Sequence, residues 1–253
     1  MKINRYSDKI RNFVSMPQLS IITVVKNNAA RMQKTASSIL EQSNQNFEWV
    51  IWDNHSSDGT AEYVKDMHLP NVKYHIGADE GIYDAMNKAL STVSDKQWVF
   101  FLNAGDVFTD EGAAGRIINE ISRTSNSILY SDVYYDKYKV VQNGFTSLGI
   151  FKSLCHQSIV MKKDQLGKEI QFNTEYKVAA DFDMLVGLEQ RGIVFEKMAE
   201  PFSIYETGGF SDIHYTDALA ERKRIFKRKL RNPFQCWLNL LNLQRLVWKQ
   251  KRK

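Results

Sequence analysis

Two cysteines, Cys155 and Cys236, are all that the 253 residues contain, and they stand in neither a CxxC nor a metal-ligand spacing. That excludes a disulfide framework and a cysteine-built zinc site, and both thiols are expected to be reduced and without a role. Long apolar runs are also missing. No stretch approaches the ~20 residues that a membrane-spanning helix needs, and the opening MKINRYSDKIRNFVSM lacks the apolar core of a signal peptide. A cytoplasmic chain is the expectation. The familiar phosphate-binding loops are absent as well. The first apolar strand leads into Lys26-Asn27-Asn28-Ala29-Ala30, where a dinucleotide turn needs GxGxxG so that the backbone can approach a pyrophosphate. GxxxxGK followed by Ser or Thr occurs nowhere. NAD, FAD and P-loop chemistry are set aside.

Acidic residues are lacking in one segment only. From Arg222 to Lys253 there are 12 Lys or Arg and no Asp or Glu, so the net +5 hides a body of 22 basic against 29 acidic side chains, a net of −7. So abrupt a change marks a boundary near Tyr215 to Arg222. The chain divides into an N-terminal extension (1–16), a main domain (17–214) whose rhythm changes near 110, and a basic tail (215–253). The length suits one large domain with an appendage.

What is present is alternation. Leu19 to Val25, Phe47 to Trp52, Val72 to Ile76 and Trp98 to Leu102 read as apolar strands. Between them, Ala29 to Glu41, a short segment opened by Asp58-Gly59-Thr60, and Ile82 to Leu90 carry helical spacing. This is the βαβ pattern of an α/β fold with a mostly parallel sheet covered on both faces. After Asp106 the rhythm is mixed: helix over Glu111 to Ser122, strands over Ser127 to Asp132, Ser158 to Met161 and Pro201 to Tyr205, and helix from about Asp181 to Gln190. Phe100, Phe101, Met184 and Phe195 are assigned to the core.

Two acids then fall at strand ends. Asp106 closes the turn after WVFFLNAGD and Asp53 follows FEWVIW, so both lie at the carboxyl edge where open α/β sheets bind ligands. Asp53 also suits the start of a turn, and Ser57 or Asp58 suits a helix cap.

In order, SIITVVKNNA, DNHSSDGT, DEGIYDAMNKAL and FLNAGD resemble the nucleotide-sugar half of family 2 glycosyltransferases of GT-A fold, closest to bacterial members that build surface polysaccharides. His156-Gln157-Ser158, Ala180-Asp181-Phe182-Asp183 and Gly208-Gly209-Phe210-Ser211 are similar to the acceptor half, and the likeness covers roughly Pro17 to Ser211. The resemblance implies an inverting enzyme that moves one sugar from a nucleoside-diphosphate sugar to a saccharide acceptor, lipid-linked in such pathways. It puts Thr23, Val25, Asn27 and Asp53 against base and ribose, and Gly81, Asp84 and Asn87 near diphosphate and sugar. Asp106 takes the last place of the DxD metal motif, with Mn²⁺ or Mg²⁺ as the ion. Asn103-Ala104-Gly105 supplies no second acid, which leaves Asn103 for ribose or a metal-bound water. Val24-Val25-Lys26-Asn27 stands where members often carry Pro-x-Tyr-Asn, so no aromatic contact identifies the base. Asp181 is implied as general base, with a helix cap as its alternative, and His156, Gln157 and Asp183 as acceptor contacts. His156 also suits a buried structural role. His214, after the glycine turn, is a further candidate near the diphosphate.

The tail adds Phe234, Trp237, Leu238, Leu240, Leu241, Leu243, Leu246, Val247 and Trp248 between basic clusters. That pattern suits a helix in an anionic membrane interface, which would hold the chain at the inner face of the cell membrane. Arg245 interrupts the stripe. The other reading is a terminal helix docked on the body or on a second subunit, which leaves a homo-oligomer open. Two rivals are a silent sugar-nucleotide-binding subunit and a nucleic-acid binder acting through the tail. The second leaves the acids at the sheet edge unexplained, and no nucleic-acid partner is expected.

Overall fold

The computed structural model describes residues 18–67, 70–146 and 149–250, so the N-terminal extension and the last three residues lie outside the described part. Its centre is a seven-stranded sheet in the order β12-β6-β11-β4-β1-β2-β3. The strands are β1 (Leu19–Val25), β2 (Phe47–Asp53), β3 (Val72–Ile76), β4 (Trp98–Phe101), β6 (Ile128–Tyr130), β11 (Ile159–Lys162) and β12 (Phe195–Lys197). β5 (Val107–Phe108), β7 (Val133–Tyr135), β8 (Tyr138–Val140) and β13 (Ser203–Tyr205) form a second sheet in the order β5-β13-β7-β8. β9 (Gly144–Phe145) and β10 (Phe151–Ser153) make a two-stranded ribbon.

β1 pairs parallel with both β2 and β4, and β2 parallel with β3. The carboxyl ends of these four strands therefore share one edge, and the loops leaving them build the site. All seven residues of β1 are buried. Successive side chains of a strand point to opposite faces, so Ile22 and Val24 enter one core layer while Leu19, Ile21 and Val25 enter the other. A strand covered on both faces reads as a continuous apolar run, as LSIITVV does.

The helices cover the faces. α1 (Ala29–Leu40) buries Met32, Thr35, Ala36 and Ile39, one stripe at helical spacing, and Asn28 caps it by accepting from the Arg31 amide. α2 (Thr60–Asp66) follows Gly59, whose φ of +93° is open to glycine, and Asp58 accepts from both the Thr60 and Ala29 amides, tying α2 to α1. α3 (Ile82–Thr92) packs Ala85, Met86, Ala89 and Leu90 against the sheet, α4 (Ala113–Ile121) does so on the other face, and α5 (Lys163–Leu166) is a single turn.

α6 (Ala180–Gln190) is apolar nearly all round, with Phe182, Met184, Leu185, Val186 and Leu188 buried, because it lies inside the molecule rather than on it. After α7 (Phe210–Ile213), α8 (Tyr215–Lys229) packs on α6. Glu221 of α8 accepts from the amides of Lys177 (2.8 Å), Val178 (3.0 Å) and Ala179 (2.9 Å), which satisfies donors at the start of α6. Lys229, the last residue of α8, pairs with Asp183 in the first turn of α6 at 2.9 Å. α9 (Pro233–Gln250) follows, and Ile225, Phe226, Leu230 and Leu243 are buried in the main core. The two tail helices are thus seated on the body through one face.

Strand positions in the first half agree with the sequence reading, β1 and β3 residue for residue. The second half holds elements that the reading lacked. These are β7, β8 and β12, strands of three residues; the strand expected over Ser158 to Met161 is present as β11, and what the reading lacked there is its antiparallel course between β4 and β6. A run as short as IVMK, buried on both sides, carries no periodicity that encodes its direction.

Candidate active site

The loops after β1, β2, β3 and β4 converge on a cleft of about 660 Å³. Its wall takes Val24, Val25, Lys26 and Asn28 from the first loop, Asn54 from the second, Asp79 to Asp84 from the third, and Asn103, Ala104 and Asp106 from the fourth. His156, Gln157, Tyr176, Lys177, Tyr205, Glu206 and Phe210 close it from the second half of the chain. A space of that size accommodates a drug-sized or nucleotide-sized ligand.

Asp106 reaches the cleft through a turn that only glycine accommodates. Gly105 has φ +108°, and a Cβ there would run into the Glu206 carboxylate and lie 3.1 Å from Arg31 Cδ. Thr35 of α1 stitches the turn, donating to Asp106 O at 2.8 Å and accepting from Gly105 N at 2.9 Å. The Asp106 carboxylate accepts from the Glu206 amide at 3.1 Å and is only 4% exposed. Burial pushes this carboxyl up to about 6, against the downward pull of the Glu206 amide, the His156 charge and a Gln157 hydrogen bond. Glu206 itself is held by Arg31 and Lys34, each at 2.9 Å.

Beside it lies a chain of polar groups. Asn103 Nδ2 is 3.3 Å from His156 Nε2, and His156 Nδ1 is 2.9 Å from Asp181 Oδ2. Asp181 Oδ1 accepts from Tyr83 Oη (3.1 Å) and from the Phe182 amide (2.8 Å). Burial works to raise the Asp181 carboxyl, but the hydrogen bond and charge of His156, the Arg222 charge and the Phe182 amide outweigh it and the net shift is downward. An ionised Asp181 fixes the histidine with its proton on Nδ1. That leaves Nε2 as the ring nitrogen beside Asn103. Asp181 itself is not on the cleft wall. His156 is on it, and Asp181 stands directly behind that ring.

The family model described as glycosyl transferase family 2 matches residues 20–185. A PGL/p-HBAD biosynthesis glycosyltransferase of Mycobacterium tuberculosis (strain ATCC 25177 / H37Ra) is 30% identical over 178 residues, 67% of this chain and 69% of that one. The chain belongs to glycosyl transferase family 2. Solved structures agree in fold. S. aureus TarS in complex with UDP is similar with a TM-score of 0.69 at 15% identity, over 90% of this chain and 70% of that chain. The mannosyltransferase PcManGT from Pyrobaculum calidifontis, in complex with GDP-Man and Mn²⁺, is similar with a TM-score of 0.64 at 14% identity, over 90% and 69%.

As a family 2 glycosyltransferase the chain brings only part of the expected residue set to the cleft. Val25, Gly81, Asp84, Asn103, Asp106, His156 and Gln157 are on its wall. Thr23 is fully buried, donating to Leu102 O at 2.7 Å and accepting from Trp49 Nε1 at 2.9 Å. Asp53 is fully buried too, accepting from the Ser56 amide and from the Tyr74 hydroxyl, which is the turn-forming alternative. Asn27 accepts from the Ser57 amide at 2.8 Å and holds the second loop against the first. Asn87 makes two 2.8 Å bonds with the backbone of Phe172. Asp183 pairs with Lys229, and His214 with Asp217 at 3.4 Å, both away from the wall. These six make bonds inside the protein and lie off the cleft wall.

Three cleft acids escaped the sequence reading, Asp79, Glu80 and Glu206. Asp79 Oδ1 accepts from Asn54 Nδ2 (2.7 Å) and the Gly81 amide (3.1 Å), while its buried Oδ2 has no partner. Gly81, at φ +127°, lets the chain turn from Asp79 into α3. Glu80 follows Asp79, and Glu206 is the third. Asp79 and Glu80 open DEGIYDAMNKAL, but the resemblance singles out Gly81, Asp84 and Asn87 within it; Glu206 sits in no motif and looks in the sequence like a solvated turn residue.

The donors around Asp106 are oxygens of the kind that suit a hard divalent cation. Among the described residues no group of three or more His, Cys, Asp or Glu is arranged to hold a metal. Asp106 offers one carboxylate, and Asn103 Oδ1 beside it is buried without a hydrogen-bond partner. Oxygen donors of this kind suit Mg²⁺ or Mn²⁺, hard cations that commonly take one or two carboxylates plus substrate phosphates and waters.

Proposed function

We propose that this glycosyltransferase binds a nucleoside-diphosphate sugar in the cleft and moves the sugar, with inversion, onto a saccharide acceptor, lipid-linked in the cell. The observation that carries this is the presence on one wall of Asp106, in the turn after β4, and of His156, which Asp181 backs from behind. Asp106 would hold a divalent ion, which neutralises the charge gathered by the departing diphosphate. Lys26 and Lys177 on the same wall add positive charge for that group. A sugar hydroxyl is a poor nucleophile until its proton leaves. His156 Nε2 takes that proton and Asp181 stabilises the imidazolium formed, so Asp181 supplies basicity through the ring. The metal use and donor class are supported by the GDP-Man and Mn²⁺ bound in PcManGT and the UDP bound in TarS.

The donor's base is read, in this account, by Asp79. An unpaired buried carboxylate oxygen is costly, and a ring N–H on guanine, uracil or thymine would satisfy it. Adenine and cytosine present a lone pair at the corresponding ring nitrogen. A site built to accept one hydrogen bond rejects analogues that lack the donor. Calorimetry of the full chain with five nucleoside diphosphates should show GDP, UDP or TDP binding at least tenfold tighter than ADP and CDP, and Asp79→Ala should abolish the preference. Equal binding of ADP or CDP by the native chain contradicts the base assignment.

The transfer step is tested with the donor so identified and a pool of lipid-linked saccharides. Asp181→Asn and His156→Gln should bind nucleotide as the native chain does and lose a hundredfold or more of transfer. Transfer at the native rate by either variant, or a product that retains anomeric configuration by NMR, contradicts the mechanism.

A further inference from the structure

The last helix has two faces. One is fastened to the body: Asn239 accepts from Phe151 N (2.9 Å) and donates to Gly149 O (3.1 Å), Asn242 donates to Phe151 O (2.7 Å), and Leu243 is buried. The other carries Phe234, Trp237 and Leu241, which are 63%, 55% and 43% exposed. Positions i, i+3 and i+7 of a helix form one stripe. The Phe234 and Trp237 rings lie stacked, with centroids 6.0 Å apart, so the apolar surface is continuous. Three large side chains held in water on a helix that has already found its core face call for a partner.

Charge says which. Arg228 is paired with Glu175, and Arg224 lies over the Tyr176 ring. Lys223, Lys227 and Arg231 are exposed and make no ion pair among the described residues. Arg245, exposed on the α9 stripe itself, adds a fourth such cation. No acidic residue follows Glu221, whereas the rest of the chain is net negative. A second copy would set these cations against each other. An anionic lipid surface takes both features at once, cations at the headgroups and aromatic rings just beneath. No described helix is long and apolar enough to cross a membrane, so the contact is interfacial.

We propose that α9 and the end of α8 form a docking face for an anionic bilayer, with Phe234, Trp237 and Leu241 seated in the interface and Lys223, Lys227, Arg231 and Arg245 at the headgroups. The inference is independent of the sugar-transfer reading, because its test measures binding alone. Deleting the tail is unsuitable, since Glu221, Phe226 and Leu243 belong to the fold. The full chain is instead floated with vesicles of phosphatidylcholine alone and with 30–50%, roughly, phosphatidylglycerol. The native chain should partition onto the anionic vesicles at least tenfold better than onto neutral ones, and high salt should release it. Phe234→Ser/Trp237→Ser/Leu241→Ser should lose that binding, as should Lys223→Glu/Lys227→Glu/Arg231→Glu, while melting temperatures and nucleotide binding stay at native values. No binding of the native chain to anionic vesicles, or unchanged binding by the Ser variant, overturns the proposal. So does a concentration-dependent dimer that only the Ser substitutions dissolve, which would make a second copy the partner.

Discussion

Asp106 is the residue on which the proposed chemistry turns, and its burial has a cost that can be measured. With a folded value of about 6 against 3.8 for the ordinary carboxyl, the folded protein keeps a proton between these values that the unfolded chain has released. Stability therefore declines as pH rises from about 4 to about 6, by on the order of 3 kcal/mol, and is level above. Thermal melts of the native chain and Asp106→Asn should diverge over that window, the variant becoming the more stable at pH 7. Added Mn²⁺ with nucleoside diphosphate should raise the native melting temperature more at pH 7 than at pH 5. Parallel melting curves across the window would show that Asp106 titrates normally. At this scale the motifs marked the right loops but only some of the residues that line the cleft. DNHSSDGT lies on the cleft edge, yet Asp53 spends its oxygens on Ser56 and Tyr74 while Asn54 faces the cleft. Which neighbour bonds inward depends on side chains distant in sequence, and a linear motif does not carry that.

Among the elements, α6 depends on α8. Glu221 accepts from three consecutive amides at the start of α6, next to Asp181. Glu221→Ala leaves those donors short of a partner and should cost about 1–3 kcal/mol of stability by chemical denaturation. It should also lower transfer, because the His156–Asp181 pair loses its footing. A variant as stable as the native chain would show the three bonds to be dispensable. The βαβ half was legible because long amphipathic helices and buried strands have distinct periods, as in Met32, Thr35, Ala36 and Ile39 of α1. The second half was less so. Strands of three residues such as Val133–Tyr135 and Phe195–Lys197 are fixed by their neighbours rather than by their own pattern. The tail's composition announced a change of partner but not that its helices also complete the core, since Leu243 and Trp237 are indistinguishable until the docked face is known.

Over the whole molecule, the sheet sets the logic: four parallel strands end at one edge, and the loops from that edge meet the second half across a single cleft. The charge is divided as well, an acidic body with Lys26, Arg31 and Lys177 on the cleft wall and a basic terminal face. The most direct test of the central claim is calorimetric titration of the native chain and Asp106→Ala with GDP, UDP and TDP, each with and without Mn²⁺. The account predicts that at least one nucleotide binds the native chain more tightly with Mn²⁺ and that Asp106→Ala loses this gain. Binding by none of them, or an equal Mn²⁺-dependent gain in the variant, would contradict it.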